Sequence, residues 1–271
     1  MSSFEILCTT MHQTDFSKIE EMNIRSNVVF ANQCDRTAYE EMVFDGHTAK
    51  MISTTTRGVG KNRNLALMYA TADICLFADD DLTYADEIEQ KVVSEFLAHP
   101  DADIVIFNIQ SDDPDRKPTI YPRTKKWTKW WSAPWGGARI AFRLNSIKKA
   151  NMWFTTLFGG GCTFPSGEDS IWLKSAQKAG LRFYVSREII GKVSYEESTW
   201  FTGYNEKYYY GVGACYAAIN PYFAWLKFLY TLYRNRHKKE LRCAEKLKWM
   251  KNGRKGYQEM LSYDEFVKSR Q

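Results

Sequence analysis

Three consecutive acids, Asp79-Asp80-Asp81, stand at the end of the apolar run Ile74-Cys75-Leu76-Phe77-Ala78. Three adjacent carboxylates repel one another unless a positive charge sits among them. A divalent cation carrying a substrate phosphate meets that need, because Mg²⁺ and Mn²⁺ take oxygen ligands and Mg²⁺ is commonly held by one or two carboxylates plus phosphates. The structural alternative is an acidic turn leading into a helix near Asp86, since acids favour helix N-termini.

A second cluster is Arg57-Gly58-Val59-Gly60-Lys61-Asn62-Arg63-Asn64. It is not a Walker loop, because its lysine is followed by Asn and its glycine spacing is wrong. It reads either as a helix start placing Arg57, Lys61 and Arg63 near an anionic ligand, or as an ordinary strand-to-helix turn with surface charges. A third is Gly159-Gly160-Gly161, followed by Ser166-Gly167-Glu168-Asp169. Ser166 with Asp169 three residues on also fits a variant capping box, so both acids have a structural reading beside a catalytic one. Trp127, Trp130, Trp131 and Trp135 lie in the Pro- and Lys-rich stretch 110–134 or just past it. Trp rings stack on sugar faces and also anchor cores.

These groups need elements to hold them. Short apolar runs at Phe4–Thr9, Asn27–Ala31, Lys50–Ser53, Ile74–Ala78 and Asp103–Ile109 alternate with helical stretches ending near Met22, Ala70 and His99. That alternation predicts a mostly parallel sheet with helices on its faces. Further strands are expected at Gly136–Arg143, Trp153–Phe158 and Leu181–Val185, with a helix from Ser166 to about Lys178 stopped by Gly180. In such sheets ligands bind beyond the carboxyl ends of the strands, where the acid triplet falls.

The chain has 271 residues, 44% hydrophobic and 25% charged, with a net charge of +5. From Phe201 on there are fourteen Lys and Arg against six Asp and Glu, so the tail is basic and the first two hundred residues mildly acidic. A basic tail fits an anionic surface, membrane lipid or nucleic acid. Residues 212–233 are long enough to span a bilayer, but Asn220-Pro221 and Lys227 argue against it; aromatic residues followed by cations fit an interfacial helix. Helices packed on the preceding domain, with solvated charges, are the structural alternative. Six cysteines form no CxxC pair, and Met1-Ser2-Ser3-Phe4 shows no basic-then-apolar leader, so thiols in a reducing compartment and no signal peptide are expected.

Taken in order, the strand ending near Thr9, the Arg57…Asn64 helix start, the acid triplet and Gly167-Glu168-Asp169 resemble family 2 glycosyltransferases over roughly residues 4–190. Asn32-Gln33-Cys34-Asp35, residues 159–169 and Ser198-Thr199-Trp200-Phe201 resemble bacterial enzymes building capsule, exopolysaccharide or O-antigen units.

The resemblance implies a GT-A α/β fold, with a glycosyltransferase domain over 1–200 (a nucleotide-sugar half, 1–110, and an acceptor half, 111–200) and a helical extension over 201–271. It implies an inverting enzyme using Mn²⁺ or Mg²⁺ and a nucleotide-sugar, a UDP-sugar by preference. Asp81 and Asp79 match the metal-binding pair, and Asp79 and Asp80 also face the donor. Thr9, Asn32, Arg57 and Arg63 match nucleotide contacts. Asp169 matches the catalytic base with Glu168 beside it, while Trp135, Gly137 and Gly160 are assigned to the acceptor and sugar. Many members carry an acid after the second strand to read uracil; here Asn32 and Gln33 stand there. The acceptor implied is a lipid-linked glycan at the cytoplasmic face of the cell membrane, with an anionic membrane surface as partner and no nucleic acid. The competing readings are a nucleotidyltransferase on sugar phosphates and a basic nucleic-acid-binding module.

Overall fold

The computed structural model describes residues 2–111, 113, 118–129, 137–194 and 203–270. The elements, in order, are β1 (Phe4–Met11), α1 (Lys18–Glu21), β2 (Asn27–Gln33), β3 (Ala38–Phe44), β4 (His47–Thr54), α2 (Val59–Tyr69), β5 (Ile74–Asp79), β6 (Leu82–Tyr84), α3 (Ile88–Ala98), β7 (Ile104–Ser111), β8 (Lys125–Lys126), β9 (Ile140–Arg143), α4 (Leu144–Lys149), α5 (Glu168–Lys178), β10 (Phe183–Val193), α6 (Glu206–Ile219), α7 (Ala224–Arg234), α8 (Cys243–Glu259) and α9 (Tyr263–Lys268). They divide into two compact units: Met1–Arg57, Lys61–Phe154 and Trp172–Glu197 form the first, and Gly58–Gly60, Thr155–Ile171 and Ser198–Gln271 the second.

The first unit is built on one sheet in the order β3-β4-β2-β1-β5-β9-β7-β10-β6, with β8 on β10. Strands β4, β2, β1 and β5 run parallel, as do β7 and β10. Strand β9 enters antiparallel between β5 and β7. Successive residues of β1, β2 and β5 point to opposite faces, and both faces are covered. Ile6, Cys8, Val28, Phe30, Ile74 and Leu76 join α3 in one cluster, through Ile88, Val92 and Phe96. Leu7, Val29, Cys75 and Phe77 join Ala66, Leu67, Ile147, Trp172 and Leu173 of α2, α4 and α5 in the other. Central strands buried on both faces are continuous in apolar residues, and each large side chain so buried contributes roughly 1.5–3 kcal/mol.

Three local readings differ from expectation. Strand β3 was not foreseen; it pairs antiparallel with β4 through Asp45-Gly46, both at positive φ, the geometry of a tight two-residue hairpin. Trp153–Phe158 is not a strand: only Phe158 bridges, to Phe164. Strand β10 runs past Val185 to Val193, shifting register against β7 between Val185 and Ile189 and again before Gly191.

In the second unit, α6 and α8 approach at backbone distance. A side chain on Gly213 would collide with the Met250 carbonyl, and one on Gly253 with that of Tyr210. Residues 212–233 fall in two helices, as the interruption at Asn220-Pro221 suggests: α6 ends at Ile219 and α7 begins at Ala224. No described helix is long and apolar enough to cross a membrane.

Candidate active site

The register of the parallel strands assembles the first cluster. Thr9 lies opposite Asp79 across β1 and β5, Thr10 opposite Asn32 across β1 and β2, and Asn32 opposite Ser53 across β2 and β4. Polar side chains thus line the carboxyl ends of four strands, with β2 on one side of β1 and β5 on the other.

Asp79 is held from two sides. Thr9 Oγ1 donates to Asp79 Oδ1 at 2.9 Å, and Arg63 Nη2 donates to both carboxylate oxygens at 3.0 and 3.2 Å. The Arg63 side chain is 3% exposed, and its guanidinium lies 5.3 Å from the Phe154 ring centroid. Helix α2 is pinned here by a reciprocal amide pair: Asn64 Nδ2 donates to the Phe154 carbonyl at 3.0 Å, and Phe154 N–H donates to Asn64 Oδ1 at 2.8 Å. Thr10 Oγ1 donates to Asp80 Oδ2 at 2.6 Å. Burial pushes the Asp80 carboxyl up against that hydrogen bond. The Asp81 carboxyl is pushed up to about 7, first by burial and then by the charges of Asp79 and Asp80. Tyr84, whose buried hydroxyl has no hydrogen-bond partner among the described residues, is pushed well above the ordinary phenol range by burial first, with Asp79 and Asp81 adding to it.

Asn32 is fully buried. It accepts from Gln13 N–H at 3.0 Å and donates to the Gln13 carbonyl at 2.8 Å and to Ser53 Oγ at 3.0 Å. Its amide therefore braces the loop after β1. Arg57 ties together the ends of β2 and β4, donating to the Cys34 carbonyl at 2.8 Å and the Thr55 carbonyl at 3.1 Å and pairing with Asp35. Gly137, at φ +102°, makes the turn before β9, where Arg139 N–H donates to its carbonyl at 2.7 Å. Trp127 packs edge-on against Tyr121 at the margin of the core. Trp130, Trp131, Trp135 and Ser198-Thr199-Trp200-Phe201 lie outside the described residues.

The second unit carries the other acids. Glu168 and Asp169 occupy the first turn of α5, half-buried, where the helix dipole favours a carboxylate. The preceding loop depends on glycine. Gly159 sits at φ +106°, and a Cβ there would strike Val59 and come within 3.0 Å of the Glu168 carboxylate. Gly160 accepts from Val59 N–H at 3.0 Å, is exposed, and faces open space.

Sequence reasoning did not single out Thr10, Tyr84 or Phe154. Thr10 had a signal, standing next to Thr9 at a strand end; the other two became site residues only through strand order and a contact 91 positions long.

The sequence profile of glycosyl transferase family 2 matches residues 24–161, half of the chain. The chain belongs to that family. Its fold is shared with solved structures at low identity. S. aureus TarS in complex with UDP-GlcNAc superposes at TM-score 0.59 and 12% identity, over 96% of this chain and 93% of that one. A longer S. aureus TarS chain gives 0.55 at 14% identity, with 97% of this chain spanning 44% of that one. A mannosyltransferase from Pyrobaculum calidifontis, in complex with GDP-Man and Mn²⁺, gives 0.51 at 15%, over 93% of this chain and 74% of that one. No curated protein matches the sequence significantly. The glycosyltransferase carries the α/β sheet and the C-terminal helices expected of it.

Proposed function

We propose that this glycosyltransferase moves a sugar from a UDP-sugar, with inversion, to a hydroxyl of a lipid-linked glycan of the bacterial surface, working at the inner face of the cell membrane. The observation that carries the donor half is the Thr9–Asp79–Arg63 cluster beside Asp80 and Asp81 at the ends of parallel strands. Asp79 is already neutralised by Arg63 and Asp80 is hydrogen-bonded by Thr10. Asp81 is the acid whose charge the fold opposes most, and such a group gains most from a bound cation.

No group of three or more His, Cys, Asp or Glu side chains converges on one point among the described residues. The two carboxylates of Asp79 and Asp81 suit Mg²⁺ or Mn²⁺ completed by substrate phosphates, since such ions are commonly held by one or two carboxylates. Asp81, with Asp79 beside it, would hold the ion, which when bound neutralises charge on the departing diphosphate. Arg63 and Thr9 fix Asp79 so that the acid triplet keeps its geometry. Arg57 and Asp35 set the loops at the base end of the donor. Asp169 is the general base that takes the proton from the attacking hydroxyl, and Glu168 shapes the acceptor side with Gly160, Gly137 and Trp135. One base serves inverting transfer, since attack and departure occur on opposite faces.

The lipid-linked acceptor is supported by the basic, aromatic tail. The solved neighbours in complex with UDP-GlcNAc, and with GDP-Man and Mn²⁺, support a nucleotide-sugar and a divalent ion. A thermal-shift panel of UDP-, GDP-, dTDP- and CMP-sugars with Mn²⁺, Mg²⁺ or EDTA tests the reading. Metal-dependent stabilisation by the UDP series is expected. Stabilisation confined to another base overturns the donor, and none from any nucleotide sugar overturns the reading.

A further inference from the structure

From Lys207 to Lys239 the chain carries six Lys and Arg and no Asp or Glu. Helix α7 lies within this stretch. Ala224, Phe228 and Thr231 recur at helical spacing and are buried. The opposite face is apolar and bare. Trp225, Leu226, Leu229, Tyr230 and Tyr233, with Tyr222 just before the helix, are each 45% to 84% exposed. Single exposed apolar residues are ordinary; six on one face of a three-turn helix mark a contact surface.

Cations bracket that face. Lys227 and Arg234 fall on one edge by helical position. Along the other edge, α7 and α8 enclose a groove of about 470 Å³, with Trp225, Leu229 and Leu247 on its apolar side and Lys251, Arg254 and Lys255 beside them. At the C-terminal end Arg236 stacks on Tyr233, 4.4 Å from the ring centroid, and Lys238 and Lys239 follow.

We propose that this face docks on an anionic lipid bilayer, with α7 lying in the plane of the interface, its aromatic and leucine side chains entering the headgroup boundary and the flanking cations meeting lipid phosphates. The charge pattern selects this occupant. Cations on both edges of an apolar stripe complement a surface that is negative around an apolar interior. Trp and Tyr present an apolar body and a polar tip, which suits that depth. A second copy packed face to face would set cations against cations. Lys207 pairs with Asp264 and Lys255 with Glu259, but the stretch from Lys207 to Lys239 carries no acid of its own. The value of docking for catalysis rests on the lipid-linked acceptor proposed above; the docking itself does not.

The test is vesicle flotation of the full chain, with phosphatidylcholine alone and with about 30% phosphatidylglycerol, at low and high salt. Wild type should float with the anionic vesicles at low salt and be partly released by salt. Leu226→Glu/Leu229→Glu should lower partitioning at least about tenfold, and Lys251→Glu/Lys255→Glu severalfold, with thermal unfolding nearly unchanged because these side chains are exposed. No binding by wild type overturns the proposal, as does wild-type binding by both variants. A concentration-dependent dimer, abolished by the leucine variant in a protein that ignores vesicles, assigns the face to a second copy instead. The UDP-sugar thermal shift, read on the same samples, separates the outcomes: its loss with flotation intact sinks the donor reading alone, and the reverse sinks docking alone.

Discussion

Arg63 grips both oxygens of Asp79, at 3.0 and 3.2 Å, from a guanidinium almost wholly buried against Phe154. A helix start is thereby locked to a strand end. Breaking a fully buried pair costs roughly 3–5 kcal/mol, and Asp79 is partly exposed, so Arg63→Ala should destabilise by about 2 kcal/mol in urea unfolding. Arg63→Lys keeps the charge and loses the fork, and should fall between. A double-mutant cycle with Asp79→Ala should show strong coupling; additive effects would mean the pair is incidental.

Asp81 gives the fold a pH dependence whose sign can be worked out. Its folded pKa, about 7, lies above the roughly 3.9 of an unfolded aspartate, so the fold favours the protonated form. That contribution is complete below about pH 4 and is lost as the pH rises through 7. Metal-free protein should therefore lose up to about 2 kcal/mol between pH 5 and 8 from this group, after allowance for solvent screening. Asp81→Asn should flatten that slope and raise the melting temperature at pH 8 while losing the response to Mn²⁺ and UDP. Wild type should gain more from Mn²⁺ at pH 8 than at pH 5, because the ion competes with a proton. The same slope and the same Mn²⁺ response in the mutant would place the cation elsewhere.

The central strands were legible because residues 4–9, 27–31 and 74–78 are buried on both faces, which forces continuous apolar runs. The acid triplet stood out because three charges end an apolar run, and the fold sets Asp79 and Asp80 against Thr9, Arg63 and Thr10. The tail's break was legible at Pro221. Strand order was not: nothing in Ile140–Arg143 says that it inserts antiparallel beside β5. Nor was the extension of β10, because Ser186-Arg187-Glu188 interrupts its apolar pattern. Strand β3, mostly exposed and carrying Glu40 and Glu41, hides its alternation, although Asp45-Gly46 was a usable hairpin signal. The Arg63–Asp79 pair joins two motifs that were each readable, but their contact depends on how α2 packs over β1 and β5. For Asn32, the resemblance implies a nucleotide contact; what the sequence did not show is that its buried amide also braces the loop after β1 through Gln13.

Gly159 and Gly160 make a paired test of the loop. At φ +106°, with Val59 and the Glu168 carboxylate in the way of a Cβ, Gly159→Ala should destabilise by about 1–3 kcal/mol and disturb the start of α5. A Cβ on Gly160 meets nothing within 4 Å, so Gly160→Ala should leave unfolding unchanged. Loss of transfer by the second variant, with stability intact, would then report contact with the acceptor.

Lys246 is buried, with its ammonium donating to the carbonyls of Asn235, at 2.9 Å, and Lys238. It closes the chain between α7 and α8. Lys246→Met keeps most of the packing and leaves the carbonyls without that donor, so a loss of about 1–3 kcal/mol is expected in chemical denaturation. Unchanged stability would show that solvent replaces the ammonium without cost.

Asp169→Asn separates chemistry from structure at the start of α5. Asn and Asp cap and begin helices about equally well, so stability should change by no more than about 0.5 kcal/mol. If Asp169 accepts the proton of the attacking hydroxyl, transfer should slow by about 10²–10⁴ while UDP-sugar affinity stays within about twofold, since Thr9, Arg63, Asp79 and Asp81 are untouched. Such a change lowers kcat and kcat/KM for the donor together and leaves the thermal response to the nucleotide in place. Glu168→Gln provides the comparison: as a neighbour shaping the acceptor side, it should raise KM for the acceptor more than it lowers kcat. If Asp169→Asn transfers at near-wild-type rate and Glu168→Gln does not, the base is Glu168.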